Sequence, residues 1–232
     1  MSRRPVYYFA MVSKSSTLKV VKSLKRQETR QHLIETGLAM ILAHGFNAVS
    51  VDKLVKAAGV PKGSFYHYFD SKEHFGLQVV AFFQQEKQAV FEAALNQPEG
   101  TPYTRLAALF KASHDRFANE EEFCGGCLVG NLAQEQASEY PAFQQALKTC
   151  YDAWFSLVQG VFQSAVDSGE LPKTTQTQRL TQALFIAMEG ALLTAKLTQS
   201  REPLDTAWWL FFDEASPLRV DATVLKGHGG AV

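Results

Sequence analysis

The stretch SVDKLVKAAGVPKGSFYHYFDSKE, residues 50–73, predicts two short helices joined by a tight turn. Ser50 suits a helix N-cap, and the apolar residues after it lie on one helical face that ends at Gly59. Pro61 suits the start of a second helix rich in aromatic residues, and the Asp-Ser pair after that helix can cap another. Two short helices around a glycine turn form the helix-turn-helix arrangement.

In a helix-turn-helix the second helix lies in the major groove of DNA and the first supports it. We expect Ala58 and Gly59 to let the two helices approach, above a small core made of Val51, Leu54, Val60, Phe65 and Phe69. Polar side chains that can reach base edges or phosphates then point outward. They are Lys62, Ser64, Tyr66 and His67, and the amide ends of the helices that begin near Ser50 and Lys72 add phosphate sites.

The rest of the chain shows helical periodicity, and the alternation typical of strands is nowhere sustained. The sequence therefore predicts an all-α protein with a three-helix N-terminal head and a helical body. Helices are expected at residues 29–44, 50–58, 62–69, 72–95, 102–118, 126–137, 140–167, 176–199 and 203–213. The corresponding domains are a flexible basic extension at 1–26, the helix-turn-helix domain at 27–75, the body at 76–220 and a flexible tail at 221–232.

Composition and charge narrow the function. The 232 residues are 46% hydrophobic and 20% charged, which is ordinary for a soluble globular protein. We find no signal peptide and no apolar run of membrane-spanning length, and three cysteines without an export signal favour the cytoplasm. Residues 1–75 hold 12 Lys and Arg against 5 Asp and Glu, a net +7, whereas residues 76–232 hold 11 against 18, a net −7. A polyanion-binding head on an acidic body produces this split, and so does a basic tail on an enzyme.

The segment TRQHLIETGLAMILAHGFNAVSVDKLVKAAGVPKGSFYHYFDSKEHF, residues 29–75, resembles the DNA-binding head of TetR-family repressors. The likeness includes A-G-V, K-G-S-F-Y-x-Y-F and S-K-E in one order. It implies recognition contacts from Lys62, Ser64, Tyr66 and His67, and phosphate contacts from Thr29, Ser50, Tyr68 and Lys72. Tyr68 stands where many members have His. The family further implies a palindromic DNA operator, a small-molecule effector, a homodimer and no cofactor.

The family dimerises through its last two long helices, and the sequence offers a surface for this. Small residues recur every four positions in RLTQALFIAMEGALLTAKLTQS, which permits close helix approach. The same stripe is also compatible with packing inside one subunit. The predicted dimer interface comprises Ala183, Ala187, Ala191, Ala195, Trp208 and Phe212.

The body is rich in aromatic residues at helical spacing, which either line a ligand cavity or form plain core. The set comprises Phe82, Phe83, Phe91, Phe110, Phe117, Tyr151, Trp154, Phe155 and Phe162. From it we select Phe110, Tyr151, Trp154 and Phe155 as effector candidates.

The segment FCGGCLVGNLAQEQA resembles a TetR subgroup that responds to reactive electrophiles and oxidants, or to small unsaturated acids. The resemblance points to Cys127, whose place at a helix start would lower its thiol pKa, while the acidic run at 120–122 would oppose this if close. Cys124 completes a C-G-G-C motif, but no second Cys/His pair stands at zinc-site spacing, so no metal is expected. Lys196 is predicted either to turn inward, toward Glu189 or the thiolate, or to reach the surface.

Two other classes of protein remain open at this point. A thiol redox enzyme would use the C-G-G-C motif, yet the βαβ setting that such a motif expects is absent. A structural DNA-binding protein would need only the basic head and leaves the acidic, aromatic body unexplained. The sequence therefore favours a transcriptional regulator that is not an enzyme, and it does not distinguish a repressor from an activator.

Overall fold

In the computed structural model of this chain, the described residues are 14–119, 125–213 and 216, with side chains from residue 24 onward. Within these ranges the backbone forms nine α-helices and no strand, so the predicted all-α class is confirmed. The helices are α1 (Lys14–His44), α2 (Val51–Ala57), α3 (Lys62–Phe65), α4 (Lys72–Leu95), α5 (Pro102–Asn119), α6 (Leu128–Gln136), α7 (Pro141–Asp167), α8 (Thr177–Thr198) and α9 (Glu202–Phe212). Cys124, residues 1–13 of the predicted extension and the tail at 221–232 lie outside the described residues.

Helix α1 begins fifteen residues earlier than predicted, at Lys14 instead of Thr29. Thr29 is a poor start for a helix, because its side-chain oxygen donates to the carbonyl of Lys25 one turn back, as an interior threonine does. The sequence between Lys14 and Thr29 contains no Gly or Pro that would end a helix. The predicted extension at residues 1–26 therefore overlaps α1.

The head is built from α1, α2 and α3 around a fully buried aromatic cluster. Leu54, Phe65 and Phe69 are buried as predicted, and the rings of Phe65 and Phe69 lie 5.2 Å apart. Gly59 serves the turn through its backbone, because its φ of +65° is strained for other residues. The predicted role of Gly59 in close helix approach is wrong, since a Cβ there would meet nothing within 4 Å.

The body packs α5 against α4, α7 and α9, and α8 between α7 and α9. One apolar cluster spans the head, α4, α6 and the first half of α7, and a second is formed by α5, the end of α7, α8 and α9. The first cluster continues across residue 75, where the sequence analysis placed a domain boundary. Gly76 is packed so closely there that a Cβ would lie 2.6 Å from the Phe143 ring. Head and body are therefore joined by shared packing.

Helix α8 differs from the sequence expectation in one respect. By length and composition alone it is apolar enough to cross a membrane. A single such helix is weak evidence for a membrane span. Leu184 and Met188 on α8 are buried in the core of the subunit, which accounts for part of the apolar composition.

Candidate functional site

The first candidate surface is the outward side of α3 and the turn after it. Tyr66 is 56% exposed and stands edge-on against the buried ring of Phe65. His67 is also exposed, and Ser64 is half-buried. An aromatic hydroxyl and an imidazole held beside a rigid core can donate and accept hydrogen bonds at base edges. The predicted outward direction of these side chains is thus present in the structure.

The helix ends near this surface are capped as the sequence predicts. Ser50 is the N-cap of α2, and its hydroxyl accepts a hydrogen bond of 3.2 Å from the amide of Lys53. Ser71 caps α4 in the same way, accepting from the amide of His74 at 2.9 Å. These caps fix the amino ends of both helices at the exposed face.

Two of the predicted DNA contacts are held by neighbours. Lys62 forms an ion pair with Asp52 at 2.7 Å, and this hydrogen-bonded carboxylate raises the pKa of Lys62. The ammonium of Lys72 lies 4.5 Å from the Phe46 ring centre and donates to the carbonyl of Asn47 at 3.4 Å. Partial burial lowers the pKa of Lys72. Both ammonium groups therefore already have a partner within the head.

Sequence reasoning missed Arg26, which belongs to the extended part of α1. Its guanidinium donates to the carbonyl of His67 at 3.1 Å and lies 5.8 Å from the ring centre of Tyr68. Arg30, one turn later, lies 5.6 Å from the Phe69 ring centre and donates to a side chain of α4. The absence of a helix breaker upstream of Thr29 was the signal that could have found Arg26.

Half of the predicted dimer interface lies inside the subunit. Ala191, Ala195 and Phe212 are buried in the second cluster, so their assignment to a partner surface is wrong. Trp208 is half-buried, and its indole nitrogen donates to the carbonyl of Ala107 at 3.0 Å. Of the predicted stripe, Ala183 is exposed and Ala187 is half-buried.

A different face of α8 is apolar and open to solvent. It carries Ile186, Leu193 and Leu197, which are 66%, 61% and 82% exposed, and Gly190 lies between them on the same face. Trp209 of α9 is 43% exposed. The residues Ile186, Leu193 and Leu197 are called the outer face of α8 below. Contiguous apolar surface of this kind is typical of an interaction site.

The body contains a cavity of about 150 Å³ between α4, α5, α7 and α8. Phe110 and Trp154 line it, as predicted, but Tyr151 and Phe155 do not. Their rings pack against Phe185 at centre distances of 5.4 Å and 6.2 Å. The cavity wall contains six aromatic side chains: Phe83, Phe91, Phe110, Phe117, Trp154 and Phe185.

Two residues that line the cavity each carry a buried nitrogen with no hydrogen-bond partner among the described residues. The two nitrogens are the Nδ1 atom of His114 and the Nε1 atom of Trp154. These residues are only 5% and 7% exposed. Burial lowers the pKa of His114 to about 4, so its imidazole is neutral at ordinary pH.

Cys127 lies at the edge of this cavity as the N-cap of α6. The carboxylate of Glu189 on α8 lies beside this thiol and lines the same cavity. Burial raises the thiol pKa, Glu189 raises it further, and the amides of Val129 and Gly130 only partly oppose this. The expected lowering of the thiol pKa is therefore wrong, because burial and a carboxylate outweigh the helix start. Loss of water around Glu189 raises its pKa as well.

A second cavity, of about 260 Å³, is also lined by this pair. Cys127, Glu189 and Lys196 all line it, so the structure places the three predicted groups around one cavity. Lys196 is exposed, so of its two predicted orientations the structure has the one toward the surface. Glu189 packs so closely on Gly130 that a Cβ there would lie 2.4 Å from a carboxylate oxygen.

Helix α6 connects the edge of the cavity to the head. Its last residue, Gln136, is buried and donates to the side-chain oxygen of Asn47 at 2.8 Å. The preceding Glu135 accepts a hydrogen bond of 3.0 Å from the amide of Asn47. Asn47 lies between α1 and α2, and its carbonyl also accepts from Lys72. One helix of nine residues thus runs from Cys127 to the base of the head.

Two families of known proteins match different parts of this chain. Residues 33–78 match the family described as bacterial regulatory proteins, tetR family. Residues 102–211 match the tetracyclin repressor-like C-terminal domain.

Several relatives match along most of their length. The transcriptional regulator AcuR of Cereibacter sphaeroides is 36% identical over 174 residues, which cover 75% of this chain and 79% of AcuR. The HTH-type transcriptional repressor DhaR of a Mycobacterium species is 30% identical over 84% of this chain and 96% of DhaR. The crystal structure of the reduced form of NemR from Escherichia coli aligns with a TM-score of 0.72 at 29% identity, covering 78% of this chain and 93% of NemR.

Proposed function

This chain belongs to the TetR family of bacterial regulatory proteins, and we propose that it is a dimeric repressor released from a palindromic operator by a small molecule. It is a DNA-binding transcriptional regulator and not an enzyme. The observation that carries the proposal is helix α6, which runs from the aromatic cavity to the base of the helix-turn-helix. We place the protein in the cytoplasm, where its DNA target lies.

The DNA-binding role predicts a two-fold footprint with recognition helices about 34 to 36 Å apart on B-DNA. Replacing Tyr66 or His67 by Ala should change which operator bases are preferred, because these exposed groups face outward from α3. Lys72→Ala should weaken binding to all sequences alike. Footprinting and competition with altered operators measure both effects, and the absence of a discrete protected site would contradict the repressor role.

The dimer is supported by the outer face of α8, an apolar surface that a second copy of the chain would cover. Leu193→Glu should dissociate the dimer and lower operator affinity at least about tenfold, because it places two charges at a symmetric apolar contact. Ala89→Glu on α4 is the matched control at an exposed small residue elsewhere. If the Leu193→Glu protein still sediments as a dimer, the outer face of α8 is not the dimer interface.

For the effector, we propose a reactive electrophile that modifies Cys127. The relative NemR was crystallised in a reduced form, which agrees with a redox-active or reactive group in that protein. When the Cys127 thiol adds to an α,β-unsaturated carbonyl compound, its sulfur bonds to the β-carbon and no group leaves. Glu189 accepts the thiol proton, and a proton is then transferred to the α-carbon. A carboxylate base is needed here because the raised thiol pKa leaves little free thiolate.

The test is release of operator DNA by N-ethylmaleimide, with mass spectrometry of the modified peptide. Cys127→Ser should abolish release, Glu189→Gln should slow it, and the buried Cys150→Ser is the control that should leave it unchanged. Cys124→Ser and Lys196→Ala test whether either residue assists. Complete release of the Cys127→Ser protein from the operator by N-ethylmaleimide would contradict regulation through this thiol.

A reversible ligand in the aromatic cavity is the second candidate effector. It is favoured by the same raised pKa of Cys127 and by the cavity volume of about 150 Å³. Release of DNA by a compound that dialysis removes, with Cys127 unmodified, would support this candidate over the covalent one.

A further inference from the structure

The net positive charge of the head lies before the helix-turn-helix and not in it. Residues 31–75 hold 4 Lys and Arg against 4 Asp and Glu, so this part of the head has no net charge. Residues 14–30 hold 6 Lys and Arg against one Glu, and they supply five of the seven net positive charges of residues 1–75. Long-range attraction to the phosphates of DNA depends on net charge. In this head it therefore comes mainly from the first half of α1.

The backbone of this basic segment is helical. Helix α1 begins at Lys14 and continues without a break to His44. Residues 14–25 lie outside the match to the tetR family, which covers residues 33–78. At 1.5 Å per residue they extend about 18 Å beyond Arg26. Residues 14–25 are called the N-terminal arm below.

Arg26 fixes the place where the N-terminal arm leaves the head. Its guanidinium donates to the carbonyl of His67 at 3.1 Å and lies 5.8 Å from the ring centre of Tyr68, just after α3. Arg30, one turn later, lies 5.6 Å from the ring centre of Phe69. The side of α1 that carries these two arginines therefore adjoins the segment that follows the recognition helix.

Two lysines of the N-terminal arm occupy the same side of α1 as Arg26. By the 3.6-residue period, positions 19 and 22 fall within about 40° of position 26 around the helix axis. DNA bound at α3 and the turn after it lies next to this side of α1. Successive phosphates of one strand are about 3.4 Å apart, so the length of the arm corresponds to at most about five base pairs.

We propose that the N-terminal arm is a second DNA-binding site, which contacts the phosphates of base pairs that flank the operator through Lys19 and Lys22. These contacts read no sequence, because the phosphates are alike at every base pair. The arm adds affinity and speeds association, while α3 selects the operator. This site rests on the proposed function, since it acts beside an operator that the head recognises.

The test is a double variant of the full chain, Lys19→Gln with Lys22→Gln, which removes two charges and keeps a good helix former at both positions. Each phosphate contact adds about 0.9 to the slope of log K against log salt, so with two subunits on DNA the slope should fall by about 2 to 4. Affinity at low salt should fall at least about tenfold. Extending the operator by about five base pairs on each side should tighten binding of the wild type, and this gain should shrink in the variant.

Lys148→Gln with Lys173→Gln is the matched control, because it removes the same charge from exposed lysines of the body. The control protein should keep the salt slope and the flank dependence of the wild type. The arm variant should keep the wild-type ranking of altered operators, because α3 is untouched. An unchanged salt slope in the arm variant, an equal fall in the control or a changed ranking would overturn the proposal.

An anionic membrane is the other partner that a basic helix with apolar residues can bind. The N-terminal arm contains Leu18, Val20 and Val21 besides its lysines. Vesicles of equal parts phosphatidylserine and phosphatidylcholine test this alternative in a sedimentation assay. If the arm variant loses vesicle binding but keeps the salt slope of the wild type on DNA, the arm is a membrane site and the proposal is wrong.

Footprinting distinguishes failure of the arm from failure of the proposed function. If the wild type protects a discrete operator and the arm variant has the same salt slope, the arm is not a DNA site and the repressor role stands. If the wild type protects no discrete site but the arm variant has a lower slope, the arm binds DNA and the repressor role is wrong.

Discussion

The head and the effector cavity are both built around aromatic side chains, yet they differ in how those side chains are brought together. In the head, Phe65, Phe69 and Phe75 lie within eleven residues of sequence, and their rings meet at 4.9 to 5.5 Å. The cavity collects its rings from four helices between residues 83 and 185. The head is therefore specified locally, and the cavity depends on how long helices turn against each other.

The largest loss of stability is expected from Phe65→Ala, which removes one ring from the aromatic cluster of the head. Phe65 is fully buried, and truncation of such a phenylalanine costs about 3 to 5 kcal/mol. Denaturant unfolding should register this loss, and operator binding should fall with it because α3 begins the recognition surface. The matched change in the body is Phe155→Ala, at a half-buried ring outside the cavity. This variant should lose less unfolding free energy and should keep operator binding. Equal losses of stability in the two variants would contradict the difference between head and body.

This contrast also explains which features the sequence could predict. Capping by Ser50, burial of Phe65 and exposure of Tyr66 follow from spacing within one short segment, and all three are found. Spacing within a segment does not show in this way which neighbour each face of a long helix packs against. Ala191 was assigned to a partner surface and is buried, because the 3.6-residue period places a stripe on a helix without saying what covers it. The raised pKa of the Cys127 thiol could not be predicted, since it depends on burial and on Glu189, which lies 62 residues away in the sequence.

A buried neutral base is found in the body at His114, and it should make stability depend on pH. The pKa of His114 is about 4 in the folded protein against 6.5 ordinarily. Below pH 6.5 the unfolded chain therefore binds more protons, so this contribution is present above pH 6.5 and is lost as pH falls toward 4. The shift corresponds to about 3 kcal/mol. Burial is the main cause, and the nearby charges act in both directions: Asp205, Arg201, Asp115 and Lys111.

The measurement is unfolding free energy at several pH values for wild type and His114→Leu. The variant should lose the part of the acid dependence that lies between pH 6.5 and 4, while the titration of all other groups remains common to both proteins. Parallel curves for the two proteins would show that His114 is not held neutral by the fold.

A smaller loss of stability is expected at Gln136, where α6 meets the head. Gln136→Leu removes the hydrogen bond to Asn47 and should lower stability by about 1 kcal/mol. Since α6 is one of the contacts between the cavity and the head, the variant should also respond less to an effector. The drop in operator affinity caused by N-ethylmaleimide should shrink severalfold, within the usual range of allosteric coupling of about 1 to 3 kcal/mol.

Gln134→Leu is the control for this junction. Gln134 lies on the same helix, is exposed and hydrogen-bonds only within α6 at 3.4 Å. Its response to N-ethylmaleimide should equal that of the wild type. An equal response of the Gln136→Leu protein would mean that the signal reaches the head by another route, such as the shared packing at Gly76.

The smallest effect is expected at the surface of the head, where Asp52 holds Lys62. Both side chains are more than half exposed, so the pair contributes little to stability. Asp52→Asn removes a negative charge from the basic surface and releases the lysine, which should strengthen operator binding slightly and steepen its dependence on salt. Asp152→Asn breaks a similar exposed pair with Lys148 on α7 and should change neither quantity. If both variants bind DNA alike over a salt titration, Lys62 makes no contact with the phosphates, and the recognition surface reduces to the residues after it.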